Sequence, residues 1–488
     1  MTLKPRGSSD LLIDGALVPG SGGSYDVINP ATEEVIGQAA EATAADMDAA
    51  ITAARTAFDT TDWARDHRRR AAALRQLSAA LTGHLDELRE LTIAEVGAPR
   101  LLTAGPQLAG PIADLNYFAD LAENFEWETA LGQASPMGIA SDRVIRKEAV
   151  GVVGAITPWN FPHQINFAKM GPALAAGATV VLKAAPDTPW CAALVGTVIA
   201  EETDLPPGVI NIITGSDHRL GQQLSSDARI DMVSFTGSTA TGRQVMAAAA
   251  ENLTRVFLEL GGKSAFIVLD DADLGTACAM AAINVITHAG QGCAIPTRLL
   301  VPREMLPAAI EATRATMAAM GAQDPDKPGT MCGPLISERQ RARVESYLAL
   351  AVDEGGTIEC GGGRPADLQR GYFIEPTLIS GLSNSSRVAQ EEIFGPVLVI
   401  IGHDGDDDAI AIANDSPYGL SGAVWGTDPE RIERVVAGVR TGTLGVNGGI
   451  WYSPDVPFGG YKASGIGREM GVAGFEEYLE TKAVAYRA

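Results

Sequence analysis

Short runs of β-branched residues alternate with alanine-rich stretches from about residue 147 onward, and this alternation constrains the fold more than any other feature of the chain. The strand candidates in its first half are VGVVGAI, ATVVLKA, GVINIIT, IDMVSFT and RVFLEL, separated by helical stretches such as PWCAALVGTVIAEET and TGRQVMAAAAEN. Apolar strands that alternate with helices indicate βαβ units around a parallel sheet buried on both faces. The sequence therefore predicts an α/β fold.

Three further segments extend this prediction. Residues 263–450 repeat the alternation, with SAFIVL, TRLLV, FGPVLVII and SGAVWGT as strand candidates, and predict a second α/β domain. Residues 43–100 have apolar spacing near 3.6 and predict helices, with Thr43 as an N-cap. The tail contains a strand candidate, 482–486, that continues no neighbouring unit. We expect it to pair with a distant segment or with another subunit.

Charge and composition exclude several classes of partner. The chain has 37 Lys and Arg against 60 Asp and Glu, and the net charge of −23 disfavours nucleic acid and anionic membrane surfaces. The longest uncharged window, 274–297, contains Asn284, His288, Gln291 and Pro296, and is predicted to be a buried helix leading into a loop rather than a membrane span. The first 20 residues lack the apolar core of a secretory signal, so a cytoplasmic location is expected.

The five cysteines are odd in number and form no CxxC pair, which is typical of a reducing compartment. Cys293 differs from the others because it follows two glycines in GQGC, which leave a thiol unhindered. The other four are interpreted as small packing residues: Cys191, Cys278, Cys332 and Cys360. A Cys–His pair with His288 is disfavoured, since residues five apart do not share a helix face. The six histidines are scattered, so no metal site is predicted.

Three other positions combine polarity with strand ends or turns. Glu259 closes the apolar strand candidate RVFLEL, where burial would raise its pKa toward that of a general base, although an ion pair with Lys263 is the alternative. Asn160 stands between two prolines and is either an oxyanion donor or a simple turn residue. The segment FTGSTATG follows a strand candidate and opens a helix, so it either holds a pyrophosphate or is only a turn.

These segments, taken in order, resemble the NAD(P)-dependent aldehyde dehydrogenase superfamily along nearly the whole chain. The matching stretches are TPWNFP (157–162), FTGSTATG (235–242), ELGGK (259–263), GQGC (290–293), EEIFGPV (391–397), NDSPYGL (414–420) and PFGGYKASGIGRE (457–469). The resemblance implies a Rossmann-like cofactor domain (1–126 and 150–261), an α/β catalytic domain (262–470) and a small β oligomerisation arm (127–149 and 471–488). It also implies a homodimer or homotetramer.

The resemblance implies roles for the catalytic residues. Cys293 is then the nucleophile, Asn160 and the Cys293 backbone N–H hold the oxyanion, and Glu259 activates the water that hydrolyses the thioester. Lys169 and Glu469 match positions proposed to relay protons. The presence of Glu259 favours hydrolysis over acyl transfer to coenzyme A. The alternatives are a coenzyme A-acylating enzyme, a thiol-dependent hydrolase, and a catalytically silent structural protein of the same fold.

The resemblance also implies NAD as cofactor and an aldehyde as substrate. Cofactor-binding residues are expected at Trp159, Lys183, Gly237, Ser238, Gly242, Glu392 and Phe394. Pro186 stands where many NAD-preferring relatives carry a glutamate, which leaves NADP open. The expected substrate pocket consists of Phe161, Trp451, Tyr452 and Phe458, and favours an apolar aliphatic or aromatic aldehyde. ELGGK stands where relatives specific for succinic semialdehyde usually have ELGGN.

Overall fold

The computed structural model describes residues 10–488 and confirms the α/β fold. The strands are β1 (Asp10–Ile13), β2 (Ala16–Pro19), β3 (Ser24–Asn29), β4 (Glu34–Ala40), β5 (Glu128–Ala134), β6 (Ser141–Ala149), β7 (Val152–Ile156), β8 (Thr179–Lys183), β9 (Ile210–Ile213), β10 (Met232–Thr236), β11 (Arg255–Glu259), β12 (Ser264–Val268), β13 (Pro296–Pro302), β14 (Thr357–Cys360), β15 (Thr377–Ser380), β16 (Val397–His403), β17 (Gly422–Trp425), β18 (Gly445–Val446), β19 (Gly465–Ile466) and β20 (Leu479–Arg487).

Helices cover both faces of the two large sheets. They are α1 (Ala44–Thr60), α2 (His67–Gly83), α3 (Leu85–Val96), α4 (Arg100–Thr103), α5 (Ala109–Asn124), α6 (Pro162–Ala176), α7 (Pro189–Glu202), α8 (Arg219–Ser226), α9 (Thr239–Ala250), α10 (Leu274–Ile286), α11 (Leu306–Ala319), α12 (Glu338–Asp353), α13 (Arg387–Gln390), α14 (Asp406–Asn414), α15 (Pro429–Gly438) and α16 (Gly471–Glu476). Thr43 caps α1 as predicted: its hydroxyl accepts the Asp46 N–H, and the Asp46 carboxylate accepts the Thr43 N–H at 2.7 Å.

The first large sheet has the order β19-β11-β10-β7-β8-β9-β1-β2, and its five central strands are parallel. The chain runs from β7 to β8 and β9 in one direction, then crosses to β10 and β11 on the other side of β7. Such a reversal opens a crevice at the carboxyl ends of the two strands that flank it, here β7 and β10. The loops that follow these strands contain TPWNFP and FTGSTATG. The topology therefore places two of the predicted motifs beside one crevice.

The second large sheet has the order β14-β15-β16-β13-β12-β17-β18, with β14 antiparallel and the rest parallel. Its core joins buried residues of α10, α11 and α12 to both faces of the central strands. The uncharged window forms α10 followed by a loop, as predicted. Among residues 10–488, no helix combines the length and the apolar character needed to cross a membrane.

A three-stranded antiparallel sheet, β20-β6-β5, carries the tail. β20 pairs with β6 over nine residues, from Leu479 opposite Ala149 to Arg487 opposite Ser141. The predicted tail strand thus pairs with a distant segment of the same chain, which was one of the two expected outcomes. Immediately before it, Phe475 and Tyr478 pack in the core of the first sheet. The tail is therefore anchored in that core before it enters the small sheet.

Candidate active site

A cavity of about 450 Å³ lies where the two large sheets meet. Glu259 ends β11 on the carboxyl edge of the first sheet, whereas Cys293 and Ser421 precede β13 and β17 on the amino edge of the second. The cavity brings together eight of the residues predicted for catalysis or substrate binding: Asn160, Phe161, Glu259, Cys293, Trp451, Tyr452, Phe458 and Glu469. Lys169 lies behind it and is absent from its wall.

The loop that carries Cys293 has an unusual backbone. His288, Ala289 and Gly290 all have positive φ, at 51°, 52° and 70°. Two of these are not glycine, so the loop stores strain that the surrounding packing must maintain. A Cβ on Gly290 would lie 2.1 Å from the Gly395 carbonyl oxygen. Only glycine therefore lets the loop turn sharply out of α10 against the segment of EEIFGPV.

The glycines of ELGGK allow two other segments to approach. A Cβ on Gly262 would lie 2.5 Å from the Cys293 carbonyl oxygen, and one on Gly261 would lie 2.5 Å from Glu392 Oε2. Gly262 N–H also donates to Glu392 Oε1 at 2.9 Å. The motifs ELGGK, GQGC and EEIFGPV are far apart in sequence but in backbone contact. Their glycines serve this contact, which requires the absence of side chains.

Burial dominates the electrostatics of the two central groups. The Glu259 side chain is 2% exposed, and burial raises the pKa of its carboxyl to about 8, with a further rise from Glu469 and an opposing effect of Lys169. The Cys293 thiol is half-buried. Desolvation raises its pKa well above its usual value, and the facing Glu259 carboxyl raises it further. At neutral pH the resting site therefore holds a thiol next to a mostly protonated carboxyl.

Neither structural alternative for these residues is present. Lys263 is buried, and its Nζ has no hydrogen-bond partner among residues 10–488, so the ion pair with Glu259 is absent. Both ring nitrogens of His288 are likewise without a partner in this part of the chain, and His288 does not line the cavity. Cys293 and His288 therefore do not form a pair. Burial lowers the pKa of His288 to about 4, so its ring is neutral.

Asn160 is held from two sides by buried glutamines. Its Nδ2 donates to the backbone carbonyl of Gln291 at 2.9 Å, and its own backbone carbonyl accepts from Gln107 Nε2 at 2.9 Å. One amide hydrogen of Asn160 remains for a ligand in the cavity. Gln291 also donates to the Pro334 carbonyl and accepts the Ile336 N–H. The sequence indicated neither glutamine, although Gln291 stands inside GQGC.

Many further cavity residues were not predicted from the sequence. Among them are Gln164, Met280, Asn284, Thr287, Trp425 and Ile450. Asn284 and Thr287 lie in the uncharged window, where polarity without charge was the available signal. The side-chain amide of Asn284 forms no hydrogen bond within the described residues, so it is open to a ligand. No lysine, arginine or histidine lines the cavity.

The predicted cofactor residues lie around the crevice between β7 and β10. Ser238 caps α9 by accepting the Thr241 N–H at 3.1 Å, and a Cβ on Gly242 would lie 2.5 Å from the Leu260 side chain. Gly237 donates its N–H to the Glu259 carbonyl at 3.0 Å. These contacts fix the helix start beside the crevice, where its free N–H groups can hold a phosphate.

Lys183 ends β8 beside β7, Glu392 contacts Gly262 after the end of β11, and Phe394 contacts Trp159 after β7. Lys183 Nζ donates to the carbonyls of Ala184 and Gly215 at 2.9 and 2.8 Å, which leaves one ammonium hydrogen. Burial raises the pKa of Glu392 to about 7, and its Oε2 accepts no hydrogen bond from residues 10–488. Phe394, at φ 63°, packs edge to face with Trp159 at 5.4 Å between ring centroids. One donor of Lys183 and one acceptor of Glu392 therefore remain unused within residues 10–488.

Two α/β sheets share a cleft, with a glycine-framed cysteine on one side and a crevice of the nucleotide-binding type on the other, an arrangement typical of nucleotide-dependent enzymes. Residues 17–484 match the model of the aldehyde dehydrogenase family. The chain therefore belongs to the aldehyde dehydrogenase family, as its motifs predicted.

Individual relatives agree with this assignment. The chain is 42% identical to a 3-succinoylsemialdehyde-pyridine dehydrogenase of a Pseudomonas species over 485 residues, 98% of each protein. It superposes on an aldehyde dehydrogenase of Mycobacterium tuberculosis, complexed with NAD+, at TM-score 0.93 and 43% identity, covering 98% of this chain and 97% of the other. Aldehyde dehydrogenase C of Pseudomonas syringae, complexed with NAD+ and octanal, gives TM-score 0.93 and 38% identity, covering 98% of each chain. These neighbours agree with the predicted fold and with NAD as cofactor.

Proposed function

We propose that the protein oxidises a neutral aldehyde to a carboxylic acid with NAD+, through a thioester on Cys293. The observation that carries the proposal is the single cavity that holds Cys293, Glu259 and Asn160 where the nucleotide crevice meets the second sheet. Each residue supplies one part of an acyl-transfer reaction: a nucleophile, a base and an oxyanion donor. The oxidising equivalent comes from the cofactor.

In the first half-reaction Cys293 Sγ releases its proton to solvent through the cavity, and the resulting thiolate attacks the aldehyde carbon. The carbonyl oxygen becomes an oxyanion that accepts from the free hydrogen of Asn160 Nδ2 and from the Cys293 N–H, which donates to no other group in residues 10–488. Bound NAD+ would supply the hydride acceptor for the substrate carbon, and a thioester would then remain on Cys293. Trp159, Lys183, Gly237, Ser238, Gly242, Glu392 and Phe394 are the residues proposed to hold it.

In the second half-reaction Glu259 takes a proton from water, whose oxygen attacks the thioester carbon. The C–S bond then breaks, the Cys293 thiolate regains a proton from solvent, and the carboxylic acid leaves. Glu469, which lines the cavity, and Lys169, paired with it at 2.9 Å, are proposed to pass the surplus proton onward. Balanced overall, one aldehyde, one NAD+ and one water give one carboxylic acid, one NADH and one proton.

We infer a preference for NAD+ over NADP+ from the charges around Lys183. Burial lowers the pKa of this lysine to about 8, and Glu41, Asp187 and Asp217 oppose the change. Three carboxylates near the lysine disfavour a 2′-phosphate, so they replace the carboxylate missing at Pro186. Titration calorimetry should give weaker binding of NADP+ than of NAD+. Glu41→Gln and Asp187→Asn should reduce the difference in affinity between NAD+ and NADP+. Equal affinities of the wild type for the two cofactors would contradict the inference.

The walls of the cavity support a neutral, largely apolar substrate. Trp451 and Phe458 stack with their centroids 5.4 Å apart, and Tyr452 meets Phe458 edge to face at 6.3 Å. Because no lysine, arginine or histidine lines the cavity, a carboxylated aldehyde would find no cationic partner there. Asn284 can bind a distal carbonyl or ring nitrogen. The names of the two relatives above, which involve a pyridine semialdehyde and octanal, are compatible with this class.

We also propose that the protein assembles as a homodimer or homotetramer through the arm of 127–149 and 471–488, which joins a cofactor domain (1–126 and 150–261) and a catalytic domain (262–470). The β5-β6-β20 sheet has two open edges, and β5 and β20 are mostly exposed. Open edges of this kind bind a further strand. A second copy of the chain offers matching edges. Sedimentation of the wild type and of a chain ending at Tyr478 should give an oligomer and a smaller species.

A screen of aldehydes tests the main proposal. NADH formation is measured by absorbance with short aliphatic, long aliphatic, aromatic and carboxylated aldehydes, each with NAD+ and with NADP+. We expect turnover of the neutral aldehydes and little of the carboxylated one. Cys293→Ala should abolish NADH formation and any acyl adduct detected by intact mass, whereas Cys360→Ala, at a half-buried cysteine outside the cavity, should retain both. Normal turnover by Cys293→Ala would refute the nucleophile.

A further inference from the structure

Lys169 is enclosed by three groups in a site that solvent does not reach. Its side chain is fully buried, and its Nζ donates to Glu469 Oε1 at 2.9 Å and to Ser234 Oγ at 3.3 Å. The ammonium also lies 4.8 Å from the centre of the Phe257 ring. A buried ammonium stays in place only where its hydrogens are met by acceptors. Ser234 is the second of the two acceptors in this environment.

Ser234 is in turn held by Tyr478. Their hydroxyl oxygens are 3.1 Å apart, and the two side chains are 0% and 1% exposed. Because an ammonium only donates, Ser234 Oγ accepts from Lys169 and keeps its own hydrogen for another acceptor. Tyr478 Oη can take that hydrogen. A continuous buried chain of hydrogen bonds thus runs from Glu469, at the cavity wall, through Lys169 and Ser234 to Tyr478.

Tyr478 is fixed from the opposite side by the tail. Its backbone carbonyl accepts the Val150 N–H at 2.9 Å, and the next residue, Leu479, pairs with Ala149 at the start of β20. The position of the Tyr478 hydroxyl therefore depends on how the start of β20 pairs with the end of β6. The hydrogen-bond chain connects this pairing to the cavity.

We propose that Ser234 and Tyr478 are positioning residues that hold the Lys169 ammonium against Glu469 and so support the hydrolytic half-reaction. The inference rests on the proposed function, because Glu469 and Lys169 serve the proton transfer assigned to them there. Neither Ser234 nor Tyr478 lines the cavity. Both act through Lys169, and their loss should leave the acylation half-reaction intact.

The charges facing Glu259 give the proposal a distinct signature. Glu469 and Glu392 raise the pKa of Glu259, whereas Lys169 and the hydrogen bond from the Cys293 thiol lower it. If Lys169 moves away from Glu469, the lowering contribution weakens and Glu259 becomes harder to ionise. Tyr478 itself faces Glu469, Ser234 and Glu477. The acidic limb of the kcat profile should therefore move to higher pH.

Pre-steady-state kinetics test the proposal with Tyr478→Phe and Ser234→Ala, each of which removes one hydroxyl. We expect kcat to fall by about three- to tenfold, the size of a lost buried hydrogen bond, with the amplitude and rate of the first-turnover NADH burst retained. The acidic limb of the kcat profile should shift upward. Tyr486→Phe, on the exposed end of β20, is the matched control and should behave as wild type.

The outcomes distinguish failure of the positioning role from failure of the proposed function. Unchanged kcat and pH profile in both variants would overturn the positioning role, and so would a lowered melting temperature with unchanged kinetics. An equal loss in the burst and in the steady state would also overturn it, because the effect would then extend to acylation. A wild-type enzyme that forms no NADH from any aldehyde would refute the proposed function itself, whereas wild-type turnover with unaltered variants refutes only the positioning role.

Discussion

The pH dependence of turnover provides the sharpest test of the base. Glu259 must be ionised to accept a proton from water, and burial raises its pKa to about 8. The hydrolytic half-reaction should therefore be slow at neutral pH and accelerate as the pH rises through this value. The effect follows from the geometry, since the carboxyl lies at a closed strand end with 2% of its side chain exposed.

The magnitude follows from the fraction of Glu259 that is ionised. With a pKa of about 8, about one tenth of the carboxyl is ionised at about pH 7 and about nine tenths at about pH 9. If hydrolysis limits the steady state, kcat should rise about tenfold over this interval. An unperturbed glutamate, with a pKa of about 4.3, would give no change across the same range.

The assay separates Glu259 from the thiol, whose pKa is raised as well. Stopped-flow absorbance resolves the burst of NADH, which reports attack by Cys293, from the steady state, which reports hydrolysis. Glu259→Gln should lower the steady-state rate by about 10²- to 10⁴-fold, the usual contribution of a general base, and flatten its pH dependence. Acyl-enzyme should then accumulate and be visible by intact mass.

Two results would refute the reasoning. The first is a steady-state rate that stays flat between neutral and alkaline pH although a full burst shows that hydrolysis is rate-limiting. It would mean that the pKa of the Glu259 carboxyl is not raised. A pH profile of Glu259→Gln identical to that of the wild type would mean that another group is the base. Asp455→Asn, at an exposed carboxylate that does not line the cavity, is the matched control for loss of charge.

Other substitutions have equally specific consequences. Asn160→Ala should lower kcat by about 10²- to 10³-fold, as the loss of an oxyanion donor does, with the steady-state rate as the measurement. Gly290→Ala should lower stability to urea more than Gly132→Ala, because both positions have φ near 70° but only Gly290 faces a carbonyl oxygen, at 2.1 Å; equal losses would show that the contact does not matter. Trp451→Ala should raise KM for a long aliphatic aldehyde by about tenfold or more, the value of one buried aromatic side chain, and an unchanged KM would place that residue outside the substrate path.

Part of the site could be identified from sequence because its signals are local. A strand end that carries a carboxylate, a cysteine behind two glycines and a helix start after a strand each depend on a few neighbouring residues. Glu259, Cys293 and Ser238 could therefore be singled out before any contact was known. The same holds for the Thr43 cap and for the helix of the uncharged window, which the structure confirms.

The remaining site depends on which distant segments meet. Asn160 and Gln291 are 131 residues apart, and Lys169 and Glu469 are 300 apart, yet each pair is joined by a hydrogen bond of 2.9 Å. No periodicity reports such a contact. Gln107, with no motif around it, could not have been found from its neighbours.

The sequence by itself determined the α/β class and the family, and it singled out the central residues, because strand and helix periods and turn residues act over short distances. Only the tertiary structure decided that the carboxyl edge of one sheet faces the amino edge of the other, and with it which side chains share the cavity. The physical reason is close packing: the glycines of ELGGK and GQGC let three backbones approach to distances that no side chain would permit. The burial that raises the pKa of Glu259 exists only once those segments have met.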